Sequence, residues 1–223
     1  MMNDIICTLE KNGFCARYCP GACGGHHAVI CADTKEHIFA SDFLRDAGFN
    51  VLELEMDTQR GRISVDRVQQ AMCWLKAQYD IDRIAVTGEA IGGQYALLAA
   101  SLIPGISCVI PVSPFDYICE AALYTRHGLD LPYTRLQRSA LRDIHEYNEM
   151  SRIPYQNMKS DILLLGVKND DFWPSDEAVS RIADRLQKAE YPYCVETRIL
   201  DRHTFAEEKR GRIIAFLNTR LGT

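Results

Sequence analysis

The sequence predicts an α/β protein with a mostly parallel β-sheet and helices on both faces. Short apolar runs alternate along the chain with stretches whose apolar residues recur at helical spacing, and this alternation is typical of parallel sheets. The length of 223 residues suits one domain of this class, and no repeat or long linker divides it. We therefore expect a single domain over residues 1–223 with an antiparallel edge formed by its first two strands.

Composition excludes several functional classes. The chain is 47% hydrophobic and 25% charged, as in ordinary globular proteins, and its formal charge of −5 disfavours a nucleic-acid partner. It contains no run of about 18 apolar residues, and its start lacks the pattern of a secretory signal, so we expect no membrane association. The nine cysteines are an odd number and lie mostly in apolar runs, which predicts free thiols and a cytoplasmic location.

The first half of the chain begins with a predicted hairpin. Ile5–Leu9 and Phe14–Tyr18 have strand character and flank Asn12-Gly13, a pair that favours a tight turn. Strands and helices then alternate. In chain order the pattern predicts a strand at Ala28–Ala32, a helix at Phe39–Ala47, a strand at Asn50–Met56, a helix at Val65–Tyr79, a strand at Arg83–Thr87, a helix ending near Ala100 and a strand at Cys108–Val112.

In the second half the alternation is interrupted once. Between about residues 115 and 154 the apolar pattern loosens and tyrosine and arginine become frequent, which predicts a small helical lid inserted into the domain. Such a lid could select an anionic or aromatic acyl substrate, although a solvated helical face would have the same composition. Afterwards the pattern predicts a strand at Ile162–Val167, a helix at Ser175–Ala189, a strand at Cys194–Leu200 and a helix at Phe205–Leu217.

The most informative stretch, Gly88-Glu89-Ala90-Ile91-Gly92-Gly93, joins a strand to a helix. It matches the G-x-S-x-G elbow, in which the central residue occupies a tight turn and the glycines let strand and helix approach closely. That central residue is normally a nucleophile, but Ala90 has only a methyl group. A phosphate-binding loop fits poorly, because neither G-x-G-x-x-G nor a Gly-Lys-Ser/Thr ending is present.

Two interpretations of Ala90 remain open. The alanine is either natural, in a non-catalytic binding protein, or an engineered replacement of Ser or Cys that makes an enzyme inactive. We favour replacement because an acid and a base follow in the expected order. Asp170, or its neighbour Asp171, follows the strand that ends at Val167, and His203 follows the next strand. Each alone has a simpler explanation, a helix cap or an exposed loop histidine, but together they predict a catalytic triad at the carboxyl edge of the sheet.

These motifs carry a resemblance to a known family. The Gly-x-Ala-x-Gly-Gly elbow, the segment ILLLGVKNDDFWPS and the later histidine resemble the α/β-hydrolase fold. More narrowly, they resemble the C-terminal domain of acyl-CoA thioester hydrolases and bile acid-CoA:amino acid N-acyltransferases, which is dienelactone-hydrolase-like. The resemblance extends from about Ala28 to the C-terminus. It implies a hydrolase of ester, thioester or amide bonds, with Ala90 at the nucleophile position, Asp170 as the acid and His203 as the base.

Further site residues follow from this interpretation. The backbone N–H of Ile91 and one near Asp33 are expected to form the oxyanion hole, although the family's usual His-Gly is replaced there by Ala32-Asp33-Thr34. Glu89, Tyr117 and Trp173 are candidate substrate-binding residues. We expect a small acyl substrate as the partner and no cofactor, and the sequence leaves the oligomeric state open.

Two other possibilities were weighed. Cys15, Cys19 and Cys23, followed by His26-His27, have a spacing that permits zinc, but incidental thiols in a hairpin and a loop are the favoured explanation, so no metal is expected. A serine peptidase of the dipeptidyl or acylaminoacyl type shares the order of the triad residues and is a further alternative to an esterase or thioesterase.

Overall fold

A computed structural model describes residues 4–22, 25–33, 41–56, 61–119, 121–134, 149–170, 173–201 and 207–222. The strands in these residues are β1 (Ile5–Cys7), β2 (Ala16–Cys19), β3 (His27–Asp33), β4 (Asn50–Glu55), β5 (Ile63–Ser64), β6 (Arg83–Glu89), β7 (Cys108–Val112), β8 (Tyr124–Arg126), β9 (Leu129–Asp130), β10 (Asp161–Val167) and β11 (Val195–Leu200). The helices are α1 (Leu9–Asn12), α2 (Asp42–Asp46), α3 (Asp66–Tyr79), α4 (Ile91–Leu102), α5 (Ser175–Lys188) and α6 (Glu207–Leu221).

The main sheet has eight strands in the order β1-β2-β4-β3-β6-β7-β10-β11. The pairs β1/β2 and β2/β4 are antiparallel, and the remaining neighbours are parallel. This confirms the predicted α/β class and the antiparallel N-terminal edge. The prediction of a tight turn at Asn12-Gly13 was wrong, because the short helix α1 connects the two strands. The Asn12 amide N–H donates to the Thr8 carbonyl at 2.8 Å, and Gly13 ends the helix with φ of 80°.

Side chains on the central strands alternate between two cores. Val29, Cys31 and Ala85 face the side on which α2 and α6 pack, whereas Ile30 and Val86 face α3, α4 and α5. Both sets are fully buried, which explains why these strands are almost continuously apolar rather than alternating. The sheet is therefore covered on both faces, and the ends of its strands are left to carry polar side chains.

The segment at residues 115–154 differs from the predicted helical lid. Its described residues contain no α-helix; instead β8 and β9 form a hairpin that pairs with β5 in a small separate sheet. His127 and Gly128, at the turn, both have positive φ, 51° and 75°, as expected for a tight hairpin turn. The Tyr124 hydroxyl donates to Gln94 Oε1 at 2.6 Å and so fixes this sheet to α4. Residues 135–148 of the segment lie outside the described residues.

Two further sequence expectations concern membranes and cysteines. Among the described residues, no helix combines the length and the hydropathy that crossing a bilayer requires. The eight cysteines in the described part of the chain are all free thiols. Burial raises the pKa of Cys19 to about 11 and that of Cys108 to about 12, so these thiols pack as small apolar side chains.

The buried His27 should make stability fall in mild acid. Its ring packs edge-on against Phe49, and Nε2 has no hydrogen-bond partner among the described residues. Burial lowers the pKa of His27 below its ordinary value of 6.5. Between pH 6.5 and this lowered pKa, the histidine is protonated in the unfolded chain but neutral in the folded chain. Stability is therefore lost as the pH falls from 6.5 towards the folded-state pKa, by about 1.4 kcal/mol per unit of pKa depression.

We expect His27→Phe, which keeps an aromatic ring against Phe49, to reduce this loss when urea unfolding is measured between pH 7.5 and 5. The neighbouring His26 serves as the control, because a hydrogen bond to the Asp80 carbonyl raises its pKa and gives the opposite sign. His26→Gln should leave the acid-side loss in place. An unchanged pH dependence in His27→Phe would contradict the assignment to His27.

Candidate active site

Ala90 occupies a strained turn between β6 and α4. Its φ of 51° and ψ of −110° lie in a region that alanine rarely adopts. The turn is held from both sides, because the Ala90 N–H donates to the Val112 carbonyl at 2.9 Å and the Ala90 carbonyl accepts from the Gln94 N–H at 3.0 Å. The methyl group is half-buried at the carboxyl edge of the sheet. This is the geometry expected of the nucleophile position in an elbow.

Three glycines allow the backbone around Ala90 to come this close. A Cβ at Gly92 would lie 2.4 Å from the Ala32 carbonyl oxygen, and one at Gly93 would lie 2.6 Å from that of Val112. A Cβ at Gly88 would lie 2.5 Å from the Gly92 carbonyl carbon. These clashes could not be relieved by a change of rotamer, because the atoms that a Cβ would meet belong to the backbone. The glycines of the motif are therefore required by the approach of α4 to β3 and β7.

The start of α4 supplies donors for an anionic oxygen. The first hydrogen bond of the helix ladder runs from Gln94 to Ala90, so the N–H groups of Ile91 and its glycine neighbours have no acceptor within the helix. Such groups and the helix dipole favour a negative charge. Asp33, the other predicted oxyanion residue, is the last residue of β3, next to the Ala32 carbonyl that touches the elbow. Thr34 lies outside the described residues.

Asp170 is a buried carboxylate just beyond β10. Only 3% of the residue is exposed. Its Oδ1 accepts from the Trp173 N–H at 3.3 Å, and its Oδ2 accepts from the Ser175 hydroxyl at 2.9 Å. The Ser175 hydroxyl in turn accepts from the Val167 N–H at 2.9 Å. Asp170 does not cap α5, whose N-cap is Pro174 without a side-chain bond; its hydrogen bonds instead fix the carboxylate at the edge of the sheet.

The carboxyl ends of the central strands are linked in series. After the bond from Ala90 to β7, the Ser113 N–H donates to the Leu165 carbonyl of β10 at 2.7 Å, and the Lys168 N–H donates to the Leu200 carbonyl of β11 at 2.8 Å. The elbow and Asp170 therefore belong to the same edge. The other predicted partners, Asp171 and His203, lie outside the described residues.

Glu89, the residue before the elbow, forms an ion pair with a lysine of α6. Lys209 Nζ lies 3.0 Å from Glu89 Oε1, and the lysine side chain is completely buried while 21% of the glutamate side chain is exposed. Burial lowers the pKa of Lys209, and the nearby carboxylate partly offsets this. The pair joins the first turn of α6 to the end of β6. Glu89 therefore has a structural partner at the site, in addition to its predicted role in substrate binding.

Tyr117 and Trp173 pack together behind Asp170 instead of presenting open surfaces. Their rings lie 5.6 Å apart at 62°, and both residues are buried. Phe115 stacks on the other side of Trp173 at 4.3 Å. The Trp173 indole N–H has no acceptor among the described residues. This aromatic cluster supports the segment that holds Asp170.

Residues 63–196 match the family described as BAAT / acyl-CoA thioester hydrolase C terminal. The chain belongs to this family. The matched span includes Ala90 and Asp170 and ends before His203. No curated protein matches the chain in a sequence search. The family assignment agrees with the resemblance inferred from the elbow and the ILLLGVKNDDFWPS segment, and it supports a hydrolase.

Solved structures show that this member of the family has the α/β-hydrolase fold. An esterase of Pyrococcus furiosus, Pf2001, superimposes with a TM-score of 0.69 at 19% identity, over 99% of this chain and 93% of the esterase. Est1E of Butyrivibrio proteoclasticus gives 0.63 at 14% identity over 100% of both chains. The acylaminoacyl peptidase of Pyrococcus horikoshii gives a TM-score of 0.62 at 15% identity. The superposition covers 92% of the present chain but only 39% of the much longer peptidase.

Sequence reasoning missed two polar residues near the edge. Lys209 shares a helical face with the buried Ile213, Phe216 and Leu217, and that spacing could have identified it as a buried lysine. Ser113 directly follows β7 with a φ of 44°, and its buried hydroxyl has no partner among the described residues. Ser113 lies in the segment IPVSP, a turn that the sequence shows after this strand, but the segment does not predict a buried hydroxyl.

The strain at Ala90 predicts that glycine would be more stable there. Because φ is positive, Ala90→Gly removes a steric cost of about 1–3 kcal/mol, which exceeds the 0.5–1 kcal/mol that glycine adds through the entropy of the unfolded chain. We expect the free energy of unfolding in urea to rise by about 1 kcal/mol. Ala215→Gly on an exposed position within α6 should instead lower it by about 1 kcal/mol. Equal losses in both variants would contradict a strained elbow.

The buried ion pair predicts an unequal response to removing either partner. Glu89→Gln removes a carboxylate that balances the charge of a buried ammonium and should cost about 3 kcal/mol. Lys209→Met should cost less, since Glu89 can reach solvent. The double variant should be more stable than Glu89→Gln alone, as measured by urea unfolding. The exposed pair Arg62–Asp130 is the control, and Asp130→Asn should change stability much less. Additive losses at positions 89 and 209 would count against coupling.

Proposed function

We propose that the chain carries the acyl-transfer site of an ester or thioester hydrolase in which Ala90 replaces the nucleophile. The observation that carries this proposal is the backbone of Ala90, with its φ of 51° and ψ of −110°. A methyl group gains nothing from this costly conformation, whereas a serine or cysteine would be held above the edge of the sheet. The buried, hydrogen-bonded Asp170 at the same edge supports the same site.

In the proposed mechanism, a Ser or Cys at position 90 attacks the acyl carbonyl carbon. His203 removes the nucleophile's proton, and Asp170, or alternatively Asp171, orients the imidazole and stabilises its positive charge. The N–H of Ile91 and that of Asp33 donate to the oxyanion, and each such donor is worth about 3 kcal/mol in the transition state. The leaving alcohol or thiol takes the proton from His203, and water then releases the acid from the enzyme.

The chain as it stands is then inactive but still able to bind. Ala90 has no atom that can form the acyl bond, while the donors of α4 and the carboxylate of Asp170 do not depend on the side chain at position 90. We infer that Ala90 stands in place of a Ser or Cys and that the chain retains its acyl substrate. The free, mostly buried thiols fit a reducing compartment, and we place the protein in the cytoplasm.

Ala90 itself favours a second function. If the alanine is natural, the same crevice serves a binding protein that recognises an acyl compound without cleaving it. A peptidase activity is a further form of the hydrolase proposal, because the fold is shared with an acylaminoacyl peptidase that is much longer than this chain. All these functions use the same edge of the sheet, and they differ in turnover and in the group attached to the acyl carbon.

Restoring the nucleophile tests the proposal. We expect Ala90→Ser to hydrolyse p-nitrophenyl esters and short acyl thioesters in a colorimetric assay, with aminoacyl p-nitroanilides added to rank peptidase activity. Adding Asp170→Asn to Ala90→Ser should lower kcat by about 10³-fold or more, since the imidazole loses its orienting partner. Ala90→Gly, which keeps the elbow and lacks a nucleophile, is the matched control and should remain inactive.

Three outcomes would change the conclusion. If folded Ala90→Ser cleaves none of these substrates, the hydrolase proposal fails. If the unchanged chain nevertheless binds acyl compounds in calorimetry, the binding protein is supported. If instead Asp170→Asn leaves the activity of Ala90→Ser intact, Asp171 replaces Asp170 as the predicted acid.

A further inference from the structure

A basic cavity lies between α5 and the segments that precede and follow residues 135–148. Its volume is about 150 Å³, and the described residues that line it do not include those of the elbow. The described residues that line it are seven: Asp116, Tyr117, Arg152, Arg181, Asp184, Arg185 and Lys188. Four of them are cationic and two are anionic, so the lining carries a net charge of 4 − 2 = +2, whereas the whole chain has −5.

One arginine is fixed in place by a buried carboxylate. Arg181 Nε and Nη2 donate to the two oxygens of Asp116 at 2.8 and 3.1 Å, and Nη1 donates to Glu177 at 3.4 Å. Only 5% of the Asp116 side chain is exposed. This bidentate ion pair neutralises Asp116, the more buried of the two acidic residues, and fixes the Arg181 side chain in place. Of the other cations in the lining, Arg185 and Lys188 form no ion pair with a carboxylate among the described residues.

Arg185 and Lys188 provide the unused donors. Arg185 Nη1 donates to the Tyr155 hydroxyl at 2.6 Å, and its guanidinium lies 4.8 Å from the centre of the Tyr155 ring. Those contacts leave Nε and Nη2 of Arg185 without an acceptor among the described residues. Lys188 has no hydrogen bond or ion pair in the same part of the chain. Arg181, Arg185 and Lys188 lie at helical spacings of four and three on α5, so they share a face.

The positive potential of this cavity acts on a buried neighbour. Burial raises the pKa of Tyr155; the charge of Arg185 lowers it, that of Asp116 raises it, and those of Arg152 and Arg181 lower it. Of these groups, Arg185 contacts the Tyr155 hydroxyl directly, through Nη1 at 2.6 Å. An anion bound beside Arg185 and Lys188 would offset positive charge of the described lining that Asp116 and Asp184 balance only in part.

We propose that this cavity binds the phosphate group of a small molecule. The fork of Arg185 and the ammonium of Lys188 hold the phosphate oxygens, with Arg152 and the fixed Arg181 completing the positive surface. A phosphate dianion matches the net charge of +2, and the planar guanidinium fork suits its oxygens. The phosphate belongs either to a free ion such as pyrophosphate or to a substrate of the proposed acyl site. Binding itself does not depend on the proposed hydrolase function.

Calorimetric titration of the unchanged chain with inorganic pyrophosphate tests this site. We expect saturable binding with one site per chain, weakened by salt because the contacts are ionic. Arg185→Gln and Lys188→Gln should each reduce the affinity about tenfold. Lys76→Gln, which removes an exposed cation from α3, is the matched control and should retain the affinity. Thermal unfolding of each variant checks that it is folded.

The possible outcomes separate the site from general charge attraction. Equal weakening in Arg185→Gln and Lys76→Gln, or no saturation at millimolar pyrophosphate, would overturn the proposal. The source of the phosphate follows from comparing pyrophosphate with a phosphate-bearing acyl thioester and its dephosphorylated form, using the unchanged, Ala90-containing chain. Tighter binding of the phosphorylated thioester, lost in Arg185→Gln, assigns the phosphate to the substrate; binding no tighter than that of pyrophosphate assigns it to a free ion.

Discussion

The approach of α4 to the sheet is the constraint on which the candidate site depends. A Cβ on Gly88 or Gly92 would collide with a backbone carbonyl oxygen of β3, and one on Gly93 would collide with a carbonyl oxygen of β7. This contact places the first turn of α4 at the carboxyl edge and forces residue 90 into positive φ. The strain is sustained because it is distributed over hydrogen bonds to Val112 and Gln94, which close the turn on both sides.

The same constraint explains why so much of the fold could be predicted from the sequence. Central strands such as Ala28–Ala32 and Ile162–Val167 are buried on both faces, so their apolar runs stand out against the helical spacing between them. The elbow can also be predicted from the sequence, because only glycine fits at the positions where backbone atoms approach so closely. Family membership follows from these motifs, and the match over residues 63–196 confirms it. The positions fixed by backbone packing are therefore the ones that the sequence predicts best.

Turns and polar side-chain pairings were harder to predict. The β8–β9 hairpin turns at His127 and Gly128, where both residues have positive φ. In the sequence, this turn is marked by one glycine, a weaker signal than the tyrosine-rich and arginine-rich composition that favoured helices. Similarly, α1 replaced the turn at Asn12-Gly13 because Asn12 accepts from the Thr8 N–H and closes a helical turn. The helical spacing of Lys209 indicates a buried position, but its partner Glu89 lies 120 residues away, and that pairing leaves no local pattern in the sequence.

The glycine contacts and the neighbouring buried charges hold the edge of the sheet independently of the side chain at position 90. Asp170 is fixed by Ser175 and the Trp173 amide, and Lys209 is fixed by Glu89, so neither requires a nucleophile as a partner. Replacing a hydroxyl or thiol by a methyl group therefore removes one reacting atom without removing the donors around it. A scaffold built in this way separates binding from bond cleavage, because the energy that shapes the crevice comes from backbone packing while the chemistry comes from a single side chain.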